Sequence, residues 1–409
     1  MNAMTKNGRL GGNDFGLRSW PAGARWAAMA ALGLAIAGVP VAHGQNSKGA
    51  KETTLYTFSG GADGASPSSG VIRDAEGNLY GATFAGGTHS LGTVFKVDAK
   101  GNETVLYSFS GPPDGQGPDA PLLRDSDGNL FGTNYEGGAN KYGDVFEIDS
   151  SGNESVIYSF GAGTDGEYPG SGLIQDADGN LYGTTGYGGA SGNGTVFMVT
   201  KAGQETILHS FTGKDGQYPF CSLLRDSAGN LYGTTSAGGT YGDGTVFKLN
   251  KNGKVKVLHT FSGGSTDGAT PYAGLIQDKE GNFYGTTSAG GGGCDGYDCG
   301  TVFKVTPKNK ETMLHAFALT DGHYPQFGNL IEVSGNLYGT TYAGGTDDAG
   351  VVFEVNASSG KESVVYSFTN AKDEGFPQAG LVMDKAGNFY STTNGNDSST
   401  WGTVFKLKP

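Results

Sequence analysis

Histidine, cysteine and tryptophan are scarce in this chain, with 6, 3 and 3 copies in 409 residues. So few histidines leave little room for a catalytic cluster. No nucleophile elbow, H-E-x-x-H pair or phosphate-binding loop occurs either. Positive charge is also short: 27 Lys and Arg face 40 Asp and Glu, a formal net charge of −13. A surface of that sign is repelled by the phosphate backbone, which argues against nucleic acid as a partner. Helical periodicity is missing throughout, and no Gly-X-Y period marks a collagen-like rod. Beyond residue 44 no apolar run approaches the roughly 20 residues of a spanning helix, so no membrane span is expected in the mature chain. What the chain has in excess is glycine. Its 75 copies are more than twice the usual share of roughly 7%. Aromatics at 11% and hydrophobics at 36% speak against disorder, so the glycine belongs to folded structure.

Residues 1–44 stand apart. Lys6, Arg9, Arg18 and Arg25 form a basic region, Ala27 to Val39 an apolar run, and Pro40 ends it. Ala42-His43-Gly44 then offers small residues at the −3 and −1 positions before Gln45. This layout predicts a secretory signal peptide over 1–44 and a short linker over 45–51, with a retained N-terminal anchor as the alternative. The expected location is secreted, periplasmic or at the cell surface. Cys294 and Cys299 are expected to form a local disulfide in such a compartment. Zinc is disfavoured there because no histidine lies nearby in sequence. Cys221 fills a column held elsewhere by Ser69, Ala120, Ser171, Ala273 and Ala379, and is expected to be a small buried residue.

Internal repeats decide the fold. Gly-Asn-(Leu/Phe)-(Tyr/Phe) begins at Gly77, Gly128, Gly179, Gly229, Gly281, Gly335 and Gly387. A Val-Phe block ends at Phe95, Phe146, Phe197, Phe247, Phe303, Phe353 and Phe405, and a third block at Phe58, Phe109, Phe160, Phe211, Phe261, Phe317 and Phe368. Each repeat of about 51 residues holds four short apolar runs: in one copy Gly172–Gln175 (a), Asn180–Thr184 (b), Thr195–Val199 (c) and Glu205–Phe211 (d). The connections are Gly-rich hairpin chemistry. The pattern predicts an all-β, seven-bladed β-propeller of four-stranded blades over residues 52–409, expected to be a monomer. The chain enters with a strand d (Glu52 to Phe58) and leaves with a strand c (Thr403 to Leu407). Pairing them would close the ring. The Gly81 column is expected to let an aromatic of the next blade approach strand b.

The combined pattern L-Y-S-F, D-G-x-x-P, G-L-I-x-D-x-x-G-N-L-Y-G-T-T, G-G and G-T-V-F resembles the GloVer tandem repeat of exported bacterial "choice-of-anchor" proteins. The resemblance covers residues 52–409. It implies export, often surface display, and a repeat architecture, with no assigned chemistry. Phe405 to Pro409 carry no hydrophobic tail or sorting signal, which departs from many members. A weaker likeness is to kelch propellers, which share the Gly-Gly doublet and a period near 50.

Candidate residues follow from the topology. The d–a and b–c loops share one face, the a–b and c–d turns the other. The d–a loop carries Asp63, Asp114, Asp165, Asp215, Asp267, Asp321 and Asp373. Such a ring offers oxygen ligands of the Ca²⁺ kind, but its repetition in every blade favours an Asx turn, and no cofactor or metal is expected. His209, His259 and His315 replace a repeat tyrosine and read as structural. His89 and His323 are off-pattern on the variable face. The final residue of strand a reads Arg73, Arg124, Gln175, Arg225, Gln277, Glu332 and Met383, and its charges near a channel mouth could bind an anion or be solvated. The b–c loops present Phe84, Tyr135, Tyr142, Tyr187, Tyr241, Tyr297, Tyr342 and Trp401, aromatics that suit contact with sugars or peptides. The expectation is an exported, non-catalytic binding scaffold for a glycan or for an envelope or extracellular protein. The alternatives are a propeller hydrolase or lyase of the lactonase or streptogramin-lyase type with a channel metal, and a purely structural surface protein.

Overall fold

In the computed structural model, which describes residues 49–161, 163–294, 298–369, 373–395 and 400–409, each repeat forms its own antiparallel sheet. The expected signal peptide and Tyr297 lie outside the described residues. Seven sheets of order a-b-c-d follow one another as blades 1 to 7, and no helix occurs among the described residues. Blade 3 is representative. Strand b (Leu181–Gly188) pairs with strand c (Thr195–Val199), which pairs with strand d (Glu205–Ser210). Valine, threonine and aromatic side chains favour the pleated form, and Gly179 (φ 83°) and Gly203 (φ 75°) supply the positive φ of the two tight turns. The last blade is composite. Its strand d is Lys51–Thr57, paired with Thr403–Lys408 from Lys51 opposite Lys408 to Thr57 opposite Thr403. The fold is the predicted β-propeller, closed as the termini of the repeat pattern require.

Every c–d pair carries a register shift, so one residue of strand d, such as Ile157 or Leu208, is left unpaired. A bulge of this kind increases local twist, which suits the outer edge of a blade. The blades then bury both faces of their inner strands against their neighbours. The strand-d phenylalanine of one blade meets the strand-c phenylalanine of the next edge to face, from Phe58 on Phe95 (5.0 Å) to Phe368 on Phe405 (5.1 Å). All seven such pairs are present and fully buried, apart from Phe58 at 2% exposure. Seven separate apolar clusters result, each lying between two blades.

Two expectations change. A Cβ on Gly81 would sit 2.6 Å from Cζ of Phe95, and the same holds for Gly183 and Phe197. That phenylalanine belongs to strand c of the same blade, directly opposite the glycine in register, so the close approach is within a blade rather than between blades. Strand a is also shorter than its sequence pattern. In blade 3 only Ile174–Gln175 pairs at its lower end, while Gly166–Pro169 pairs separately with the upper part of strand b. The break comes from the residue preceding the proline of D-G-x-x-P. Ser66, Gly117, Tyr168, Tyr218, Thr270, Tyr324 and Phe376 all have φ between 55 and 63°. Proline adds to the break because it has no N–H for the ladder.

Candidate functional site

The kink that splits strand a also builds the face of the d–a and b–c loops. Each kinked residue donates its N–H to a carbonyl in the b–c loop of the preceding blade: Tyr168 to Tyr142, Tyr218 to Asn193, Thr270 to Asp243 and Tyr324 to Cys299. Holding a tyrosine in the left-handed region costs about 1–3 kcal/mol and persists only where surroundings enforce it. Here those inter-blade bonds and the following proline do so. The backbone therefore aims the side chains on either side of each proline at the mouth of the channel.

The result is a run of touching rings. Tyr135 packs on Tyr168 (5.2 Å), Tyr168 on Tyr142 and Tyr187 (6.0 and 5.9 Å), and Tyr187 on Tyr218 (4.9 Å). Tyr187 also meets Phe220 (6.0 Å), which continues through Tyr272 (6.3 Å) to Phe327 (5.2 Å). Most of these rings are half-buried, and Tyr135 is buried. Burial pushes the Tyr272 hydroxyl up to about 12. The opposite side of the mouth is polar. At the position following the proline, blades 7, 1 and 2 carry Gln378, Ser68 and Asp119, and the Ser68 hydroxyl donates to the Asp119 carboxylate. Burial raises that carboxyl to about 7, against the pull of the Ser68 hydrogen bond. The mouth thus carries aromatic rings from Tyr168 in blade 3 to Phe327 in blade 6, where Gln326 follows the proline, and hydrogen-bonding side chains across blades 7, 1 and 2.

Of the residues named from sequence, the structure brings Tyr135, Tyr142 and Tyr187 into this run. Tyr342 lies elsewhere on the same face, against Phe376 (5.1 Å). Trp401 covers the turn at Gly60, where a Cβ would lie 2.3 Å from its ring, and packs into the cluster between blades 7 and 1. Tyr241, at 64% exposure, projects from a loop tip, and His89 is exposed. His323 stacks on Tyr324 (4.7 Å) and lies 3.3 Å from Asp348. Burial lowers its pKa, offset in part by Asp348 and Asp321. It also reaches the Cys294–Cys299 disulfide, so the histidine that the local sequence lacks arrives from the next blade. Cys221 is buried, and its Sγ accepts the Thr234 N–H.

Arg73, Arg124 and Arg225 are exposed at the foot of strand a, each guanidinium about 5.5 Å over a tyrosine of the preceding blade (Tyr390, Tyr80 and Tyr182). Glu332 accepts the Gly335 N–H in its own turn. The d–a aspartates serve their turns as well: Asp63, Asp114, Asp165 and Asp373 accept a tyrosine hydroxyl at 2.9 to 3.0 Å and a backbone N–H of the same loop. Sequence reasoning missed Tyr168, Tyr218, Phe220, Tyr272 and Phe327. They stand in the variable positions around a turn proline, and the signal available was that aromatics recur there in successive repeats.

No curated protein matches the chain in sequence. In structure it is similar to the extracellular domain of a protein described as a hybrid two-component system from B. thetaiotaomicron, with a TM-score of 0.58 and 10% identity over 86% of this chain and 39% of that one. The chain therefore spans about two-fifths of that protein's length. It is similar also to an oligogalacturonate lyase in complex with manganese (TM-score 0.55, 13% identity, 89% and 94% covered). A third likeness is to an oligogalacturonate lyase from Vibrio parahaemolyticus (TM-score 0.50, 9% identity, 87% and 93% covered). Such identities carry the fold alone. Among the described residues no helix is long and apolar enough to cross a membrane. The profile of the Gloeobacter/Verrucomicrobia repeat matches residues 44–226, 123–297 and 221–409, in keeping with the motif resemblance. These matches span every blade, and the chain belongs to the Gloeobacter/Verrucomicrobia repeat family.

Proposed function

We infer that the protein is an exported carbohydrate-binding propeller that takes a glycan at the channel mouth. The observation that carries this reading is the two-sided mouth: Phe220, Tyr272 and Phe327 on one side, Gln378, Ser68 and Asp119 on the other. A sugar ring has the matching character, with apolar C–H faces that pack on aromatic rings and hydroxyls that seek amide and carboxylate partners. The seven mouth positions include a single carboxylate, Asp119, whereas glycoside hydrolysis ordinarily uses two. Binding without turnover is the function this arrangement supports.

The test is affinity electrophoresis and calorimetry of residues 45–409 against soluble neutral and uronic-acid polysaccharides. Binding to at least one glycan class is expected, weakened at least about tenfold by Tyr272→Ala or Phe220→Ala, as loss of one stacking contact implies. Loss on Tyr241→Ala with Tyr272→Ala unchanged would move the site to the loop tips. Binding to none of the glycans would overturn the reading.

A further inference from the structure

The outer edge of the ring holds a second kind of cluster, away from the mouth. In strand d of blades 3, 4 and 5 the repeat tyrosine is replaced by His209, His259 and His315. Each Nε2 lies beside the aspartate of its own d–a loop, at 2.9 Å from Asp215, 3.3 Å from Asp267 and 3.2 Å from Asp321. A third group comes from strand d of the next blade. For His259 it is Glu311 and for His315 it is Glu362, and in each trio the candidate donor atoms lie within 4.8 Å of one another. We propose that His259, Asp267 and Glu311, and likewise His315, Asp321 and Glu362, each bind a Zn²⁺ ion between adjacent blades.

The donor chemistry supports a zinc-type ion over calcium, since an imidazole nitrogen joins two carboxylate oxygens. Zinc bonds of about 2.0–2.2 Å hold tetrahedral donors roughly 3.4 Å apart. The histidine–aspartate spacings of 3.3 and 3.2 Å are close to that value, and the glutamate oxygen of each trio lies within 4.8 Å of both partners. The trios also have unmet polar demand. Oε1 of Glu311 and Oε1 of Glu362 are shielded from solvent and have no hydrogen-bond partner. Two carboxyl groups and an imidazole thus converge at each blade interface, a mixed oxygen and nitrogen donor set that a divalent cation would draw together. His259, His315, Asp267 and Asp321 keep 10 to 22% side-chain exposure, so an ion and its water have a route in.

The repeat supplies its own controls. The remaining four blades place Tyr56, Tyr107, Tyr158 and Tyr366 where the histidines stand, giving a set with no nitrogen donor. His209 and Asp215 form the same pair, but Val255 occupies the glutamate position, so that trio is incomplete. Histidine to tyrosine and glutamate to valine are therefore substitutions the architecture already accommodates.

The experiment is calorimetric titration of the chelator-treated protein, residues 45–409, with Zn²⁺ at pH 7.5 without reductant, so that Cys294 and Cys299 stay paired. A parallel Co²⁺ titration reads visible ligand-field bands. Two equivalents are expected, falling to one in His259→Tyr or Glu311→Val and to none in the double variant His259→Tyr/His315→Tyr. Melting curves check that each variant is folded. Absence of saturable binding, or two equivalents retained in the folded double variant, would overturn the proposal.

Discussion

Removal of residues 49–58 is expected to leave a chain with no cooperative melting transition. The strand Lys51–Thr57 is the outer strand of blade 7, and its partner is Thr403–Lys408. Without it, strand c of that blade becomes an edge with an unpaired row of N–H and C=O groups, the usual template for aggregation. The same deletion removes Phe58, which is 2% exposed and meets Phe95 edge to face in the cluster between blades 7 and 1. Losing a buried phenylalanine side chain alone costs about 3–5 kcal/mol. Loss of the ladder and of the blade contact adds to that, against a whole-domain stability of about 5–15 kcal/mol. A ring also differs from a linear repeat array, which can shed an end unit and keep the rest. The measurement is a circular-dichroism melt with size-exclusion chromatography of the truncated chain beside the intact one. A monomeric truncation that still melts sharply would show that blade 7 closes the ring without its fourth strand.

Architecture was legible in the sequence because every blade repeats the same solution. The seven Gly-Asn and Val-Phe blocks set the strand count, and the half-blades at the two ends of the pattern called for closure, which the pairing of Lys51 with Lys408 supplies. The d–a aspartates were legible for the same reason: a residue present in all blades is expected to serve the blade, and Asp63 and Asp165 bond their own loops. What escaped was anything assembled from two blades. The mouth aromatics Phe220 and Tyr272 touch across a blade boundary, 52 residues apart along the chain. The trio of His315, Asp321 and Glu362 likewise draws its last member from the following repeat. Reading one repeat shows strand pairing, whereas these contacts are made between neighbours. The kink at Tyr168 was hidden for a different reason, since a tyrosine before proline ordinarily reads as extended chain.

Stability is expected to fall as pH rises from 5 to 8, in part through four of the six glutamates that open strand d. Burial pushes the carboxyls of Glu52, Glu103, Glu154 and Glu205 up to about 7. The aspartates Asp373, Asp63, Asp114 and Asp165 add to the shift in the same order, while Thr54 opposes it at Glu52 and Tyr107 at Glu154. Oε1 of Glu103, Glu154 and Glu205 is shielded from water and has no hydrogen-bond partner, so the neutral acid is the form that fits. In the unfolded chain these groups lose their protons near 4.5, whereas in the folded chain they keep them to about 7. The folded state therefore binds more protons between those values, and the stabilisation is complete below about 4.5 and lost as pH rises through about 7. On the acid side the sign reverses. Asp74, Asp176, Asp226, Asp278 and Asp384 have lowered pKa values from the hydrogen bonds of their a–b turns, and the stability they add is lost as pH falls below their usual range. Maximum stability is thus placed at about pH 4.5–5. The glutamates are partly exposed, and solvent screening reduces each contribution to about 0.5 kcal/mol, about 2 kcal/mol for the four together. That corresponds to a melting temperature about 3 °C lower at pH 8 than at pH 5. The measurement is a set of thermal melts at constant ionic strength in EDTA, with Glu154→Gln as the probe. The amide has the same shape and no charge, so this variant is expected to melt higher than the parent at pH 8 and to show a flatter profile. Equal melting temperatures at pH 5 and 8, or a Glu154→Gln variant that gains nothing at pH 8, would mean that these carboxylates stay solvated and ionised between the blades.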